Sequence, residues 1–141
     1  IFYCASISAL IFIFWDQDPG AMIAGSLVMA ISDGLAGLIG RGVQSPTWRL
    51  HAQTKSLAGT TTMFLSTFLI LTSVSYVTGG ELPIAFALLI SLVTTFLEQW
   101  SIYGVDNLTV PILTALMFSF AINNDQPLIF FSNTVPLKIL L

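Results

Sequence analysis

"AMIAGSLVMAISDGLAGLIG", residues 21 to 40, holds one charged group in twenty and reads as a single apolar helix. A hydrocarbon core about 30 Å thick needs roughly 20 such residues at about 1.5 Å of rise each. The charge is Asp33. Inserting an aspartate mid-helix costs on the order of 2.5–3.5 kcal/mol, so it needs a partner or a watery cavity. Ser26, Ala30, Asp33, Gly37 and Gly40 follow the spacing of one helical face. Two readings stay open. Small residues can bring helices close, with Asp33 held by a neighbouring hydroxyl. Alternatively, Asp33 is a metal ligand or general base facing a cleft, and the small residues leave room for a ligand.

The rest of the chain repeats this apolar character. Only 8% of its 141 residues are charged and 55% are hydrophobic, with a mean hydropathy of +0.91. A soluble domain carries about 25% charged residues, so lipid is the expected solvent. Five segments can be drawn: Ile1–Trp15, Ala21–Gly40, Leu57–Thr78, Leu82–Trp100 and Asn107–Ile122. Leu128–Leu141, interrupted by Pro136, is a sixth. The expected fold is an all-α polytopic membrane bundle of five to six spans, one domain over residues 1–141. Ile1 lies inside an apolar run, so the bundle is expected to be N-terminally incomplete. Cys4 is the single cysteine, which excludes an intramolecular disulfide.

Loop charge sets the orientation. Arg41, Arg49 and Lys55 all fall in the polar loop 41–56, and Lys138 joins that face if the last run crosses. Asp16, Asp18, Glu81 and Asp125 take the other face. The basic loop is therefore expected on the cytoplasmic side, or the stromal side in an organelle. The same alternation brings Asp33, Glu98 and Asp106 to the basic face.

"TKSLAGT" (54–60) offers Ser56 as an N-cap for the third segment. A helix N-terminus has free N–H groups and the positive end of a dipole, and Lys55 adds a full charge there. Gly59 would let a ligand reach the backbone. An ordinary cap beside a snorkelling lysine fits the same residues. The stretch is not a Walker loop, because the G-x-x-x-x-G-K-[ST] spacing is absent.

"DNLTVP" (106–111) raises a question of register. With Thr109 as cap, Pro111 lies in the first turn, where its missing N–H costs nothing. Asp106 and Asn107 are then left in an open turn, as ligands for Mg2+ or phosphate or as a capping turn. Glu98 reads as a solvated helix-end acid near the interfacial Trp100 and Tyr103. His51 reads as a solvated loop residue, and Arg49 as a topology or headgroup residue. Taken together, two acids suited to Mg2+, two bases and two helix N-termini on one face are parts that phosphoryl or nucleotidyl transfer requires.

Three blocks, "DGLAGLIGR" (33–41), "KSLAGTTTMF" (55–64) and "DNLTVP" (106–111), resemble the CTP-dependent lipid kinases: phytol, dolichol and CTP-using diacylglycerol kinases. The resemblance implies a membrane enzyme that phosphorylates a lipid alcohol from CTP with a divalent metal, Mg2+. It places catalysis and metal on Asp33 and Asp106. It places the nucleotide on Gly37, Gly40, Arg41, Lys55, Ser56, Gly59, Thr60 and Asn107. Ser32 stands where the family usually has glycine, and Gly42 where it has a second base. The longer loop and "TKSLAGT" look most like the photosynthetic branch, which implies phytol or a related prenol. The expected partners are CTP, the lipid alcohol and bilayer lipid, with no nucleic acid. Two other classes share some of these features. A CDP-lipid-forming cytidylyltransferase shares CTP and metal, but its Lys-Asp, His-Gly-Gly and Asp-Arg-x-Asp signature is missing. A transporter would place Asp33 and Glu98 on its pathway, with repeats and midplane breaks.

Overall fold

The computed structural model describes residues 1–50, 53–100 and 104–124. It contains five helices and one short hairpin. Helix α1 is Phe2–Phe14. Helix α2, Pro19–Gly42, starts at Asp18, whose carboxylate accepts a hydrogen bond from Ala21 N at 3.0 Å, with Pro19 fixing the first turn. Strands β1 (Thr47–Leu50) and β2 (Gln53–Ser56) pair antiparallel, with Trp48 opposite Lys55. Helix α3 is Leu57–Thr78 and ends on Gly79 at φ 71°, a left-handed cap. Helix α4 is Ile84–Trp100 and α5 is Asp106–Asn124.

The all-helical expectation holds apart from the hairpin, which forms inside the stretch read as a polar loop. Two helices, Pro19–Gly42 and Leu57–Thr78, are long and apolar enough to cross a membrane. Phe2–Phe14 and Ile84–Trp100 are apolar but shorter. At about 1.5 Å per residue these two fall short of a 30 Å hydrocarbon core. Five to six spans are therefore not what the described helices give by length and composition. The sixth run, with Lys138, and His51 lie outside the described residues.

Hydroxyls share the interior with an apolar core, and bulky apolar groups also cover the outside. Hydroxyls fill much of the interior: Ser6, Ser32, Thr67, Ser91, Thr94 and Thr114 are all buried. Thr94 and Thr114 hydrogen-bond across α4 and α5 at 3.0 Å. Large apolar groups face outward, among them Phe12, Leu69, Tyr76, Phe96 and Phe120. Small and hydroxyl residues at helix interfaces, with bulky apolar residues outside, are how helices pack when the surroundings are as apolar as leucine. A core remains between them, built on Leu10, Val28, Met63, Leu71, Ile90 and Phe118.

Helix α2 is not uniform. Residues Val28–Asp33 form a π-helical segment between two α-helical stretches. The wider turn rotates everything beyond it relative to an unbroken α register. Before it, Ala21, Ala24 and Gly25 are buried; within it Val28, Met29 and Ser32; beyond it Ala36 takes over. The expected single face of Ser26, Ala30, Asp33, Gly37 and Gly40 is thus broken, and Ala30 is exposed.

Helices α2 and α5 pack tightly at Gly25. A methyl group on Gly25 would lie 2.5 Å from the Pro111 carbonyl oxygen and 3.1 Å from Ala115 Cβ. Backbone cannot yield as a side-chain tip can. Gly25→Ala is expected to lose about 1–3 kcal/mol of stability, as overpacked sites do. Its melting temperature in detergent should fall below wild type; an unchanged value would mean the helices do not meet this closely.

Candidate functional site

Four pieces of chain meet at one end of the bundle: the second half of α2, strand β2 with the start of α3, the end of α4, and the start of α5. They enclose a cleft of about 390 Å³. Asp33, Gly37, Gly40, Arg41, Lys55, Ser56, Gly59, Thr60 and Asp106 all line it. Asn107 does not; it lines a smaller space behind the acids with Met29 and Met63. Residues more than 70 positions apart in the chain thus share one wall.

The π-helical segment ends on Asp33 and sets its direction. Hairpin pairing sets Lys55 and Ser56 one after the other on β2. Ser56 caps α3 as expected: its Oγ accepts from Gly59 N at 3.2 Å and donates to the Gly40 carbonyl at 3.0 Å. One hydroxyl therefore terminates α3 and ties it to α2.

The N–H groups at the start of α3 are not free, contrary to the sequence reading. Leu57 N donates to the Pro46 carbonyl at 2.9 Å, Ala58 N to Ser45 Oγ at 3.2 Å, and Gly59 N to Ser56 Oγ. The strand-side loop fills the positions that an anion would take. What the helix end contributes to the cleft is its dipole, together with Lys55 and the Thr60 hydroxyl.

Gly59 also differs from the reading that it admits a ligand. A Cβ there would lie 2.9 Å from the Ala36 carbonyl oxygen and 3.3 Å from Gly40 Cα. A Cβ on Gly40 would lie 2.8 Å from Ser56 Oγ. These two glycines let α2 and α3 cross. Gly37 is the open one, with only Arg41 Nη2 at 3.8 Å from its missing Cβ.

Asp106 opens α5 as its first residue, not as part of an open turn. Leu108 N and Thr109 N both donate to the Val105 carbonyl at 3.0 Å, so the helix starts three residues before Thr109. Pro111 therefore lies inside the helix, where it removes one backbone bond. An acid in the first turn suits the positive end of the dipole, which favours this earlier start.

Glu98 also departs from the sequence reading. It is 8% exposed, not solvated, and its Oε1 accepts from Lys55 Nζ in an ion pair. Gln99 Nε2 donates to Glu98 Oε2 at 3.1 Å and to Thr60 Oγ1 at 2.9 Å. One oxygen from each of Asp33, Glu98 and Asp106 lies within 4.8 Å of the others. A helix-end glutamate beside two interfacial aromatics gave no signal of this. The available hint was that three acids mapped to the same face.

Three carboxylates against Lys55 and Arg41 leave the lining with an excess of one negative charge. Hard oxygen donors this close suit a divalent cation. Around Mg2+ at about 2.1 Å, ligand oxygens stand roughly 3–4 Å apart.

No family model matches the chain, and no solved structure matches it. A curated phytol kinase from Synechocystis sp. is 36% identical over 120 residues, covering 83% of this chain and 52% of that protein. The chain thus spans about half the length of the curated relative it matches. This likeness supports a phytol-kinase-like family for the chain.

Proposed function

We propose that this chain forms the nucleotide- and metal-holding end of a membrane kinase that transfers the γ-phosphate of CTP to phytol or another prenol alcohol. The observation that carries the proposal is the shared cleft, with Asp33, Asp106, Arg41, Lys55 and Thr60 around one space at the end of an apolar bundle. The likeness to a phytol kinase supports the substrate class. Asp33 and Asp106 would hold Mg2+; when bound, the ion supplies charge neutralisation for the phosphates. Arg41 is exposed at the rim and reaches outward for the nucleotide, where its fork suits phosphate oxygens. Lys55 and Thr60 face the inner wall, where a terminal phosphate would meet a cation and a hydroxyl. Whichever aspartate oxygen the ion leaves free is placed to accept the proton of the alcohol. The rim of the cleft, with Arg41, faces the cytoplasm or stroma, and the alcohol enters from the bilayer with its tail left in lipid.

The test is transfer of γ-labelled phosphate from CTP to phytol, dolichol and diacylglycerol by the full-length protein in nanodiscs. CDP and a labelled prenyl monophosphate are the expected products. Pyrophosphate with a CDP-lipid would replace the kinase reading with cytidylyl transfer. Ion flux in liposomes without CTP binding would replace it with transport.

Gly37 separates binding from folding. Its Cβ position is open, so Gly37→Leu is expected to fold normally and project into the cleft. We expect the KM for CTP to rise by about tenfold or more, which corresponds to roughly 1.4 kcal/mol of lost binding. Gly34→Leu, also with open space but away from the lining, is the control. Equal KM values in the two variants would place the nucleotide elsewhere.

A further inference from the structure

We propose that Glu98, with Gln99, is a positioning element for Lys55, and that it acts through the lysine and not as an independent metal ligand. This rests on the kinase reading of the cleft. Both carboxylate oxygens of Glu98 are already engaged, Oε1 with the Lys55 ammonium and Oε2 with the Gln99 amide. The pair is largely dry, with the Lys55 and Glu98 side chains 13% and 10% exposed. A lysine next to last on a strand, just before a helix cap, has four rotatable bonds and would normally extend into water. Here it is drawn across to α4, and Gln99 makes the connection rigid by bonding Thr60 on α3 at the same time. The two groups proposed to meet the terminal phosphate, Lys55 and Thr60, are thus both held by consecutive residues of α4. Breaking a buried pair by neutralising one partner leaves the other charge uncompensated, so the lysine will swing out to solvent.

Two measurements on the full-length protein in nanodiscs test this. The first needs no activity. The chain has two lysines, and Lys138 serves as the reference for an amine-reactive reagent read by peptide mass spectrometry. Glu98→Gln should label Lys55 about tenfold faster than wild type relative to Lys138, with Glu98→Asp in between, as a released buried pair requires. The second is a double-mutant cycle on kcat with CTP and phytol. Glu98→Gln and Lys55→Met should each lower kcat, by about tenfold or more. Glu98→Gln should add less than about twofold in the Lys55→Met background, as for two residues acting as one unit. Losses that multiply would make Glu98 an independent ligand and overturn the proposal. So would unchanged Lys55 labelling in a Glu98→Gln protein with wild-type melting. A wild-type protein that fails to phosphorylate prenols but shows the labelling change removes the kinase reading and leaves the positioning role standing.

Discussion

Asp33→Asn will cut phosphate transfer by about 10³-fold or more while leaving the fold intact, since losing one preorganised charge at a reacting centre typically costs 10²–10³ and a metal ligand adds to this. The substitution keeps the shape of the side chain and removes one negative charge from a lining that has an excess of one. Of the three carboxylates within 4.8 Å of one another, Asp106 and Glu98 then remain, Glu98 paired with Lys55. Asp106→Asn is expected to fall in the same range. The double variant should lose little more than either single one, because both carboxylates serve the same ion. Folding stability should move the other way. Three carboxylates within 4.8 Å of one another repel, so neutralising Asp33 should hold or raise the melting temperature in metal-free detergent. Added Mg2+ should stabilise wild type and leave Asp33→Asn unmoved, as ligand linkage requires. The checks are kcat by γ-phosphate transfer from CTP and a melting curve with and without Mg2+. A kcat within about threefold of wild type, less than 1 kcal/mol of barrier, would take Asp33 out of the chemistry.

Much of this arrangement could be read in the residues. Leu57–Thr78 matches its helix end to end, because Ser56 is a capping residue before it and Gly79 a left-handed stop after it. Both signals are local. Alternation of the spans also brought Asp33, Lys55 and Asp106 to one face, and the structure places them on one cleft. What could not be read depends on contacts between distant segments. The π-helical segment of α2 has no composition of its own; it lies between Gly25, which meets Pro111, and Ala36, which meets Gly59. Glu98 looked solvated because its ion-pair partner lies 43 residues away. Pro111 looked like a first-turn proline, since cost-free placement is the usual rule. Here α5 starts at Asp106 despite the backbone bond that Pro111 removes, and that start brings the carboxylate to the cleft. The N–H groups of α3 looked free because their acceptors, Ser45 and Pro46, sit in a loop whose return path no periodicity encodes.

Gly59→Val is the second large effect, and it tests the frame that aims those groups. Helices α2 and α3 touch through Gly40 and Gly59, and the space for a side chain at Gly59 is taken by the Ala36 carbonyl at 2.9 Å and Gly40 Cα at 3.3 Å. Both obstacles are backbone, so relief requires α3 to back away from α2. Ser56, whose Oγ bonds Gly40 across the same crossing, loses that contact, and the cap of α3 goes with it. Overpacking costs typically 1–3 kcal/mol, and loss of a cap about 1 kcal/mol more, so a total of about 2–4 kcal/mol is expected. Gly42→Val is the matched control, with nothing within 4 Å of its missing Cβ, and should melt near wild type. Ser56→Ala isolates the cap and should cost about 1 kcal/mol, with α2 and α3 still in contact. Transfer activity should follow the crossing and not stability alone. At a temperature where Gly59→Val is still folded, kcat should remain depressed, because Lys55 and Thr60 have moved away from Asp33. If Gly59→Val melts like wild type, or regains full kcat on cooling, α2 and α3 do not cross through these glycines and the cleft is not held in the form described.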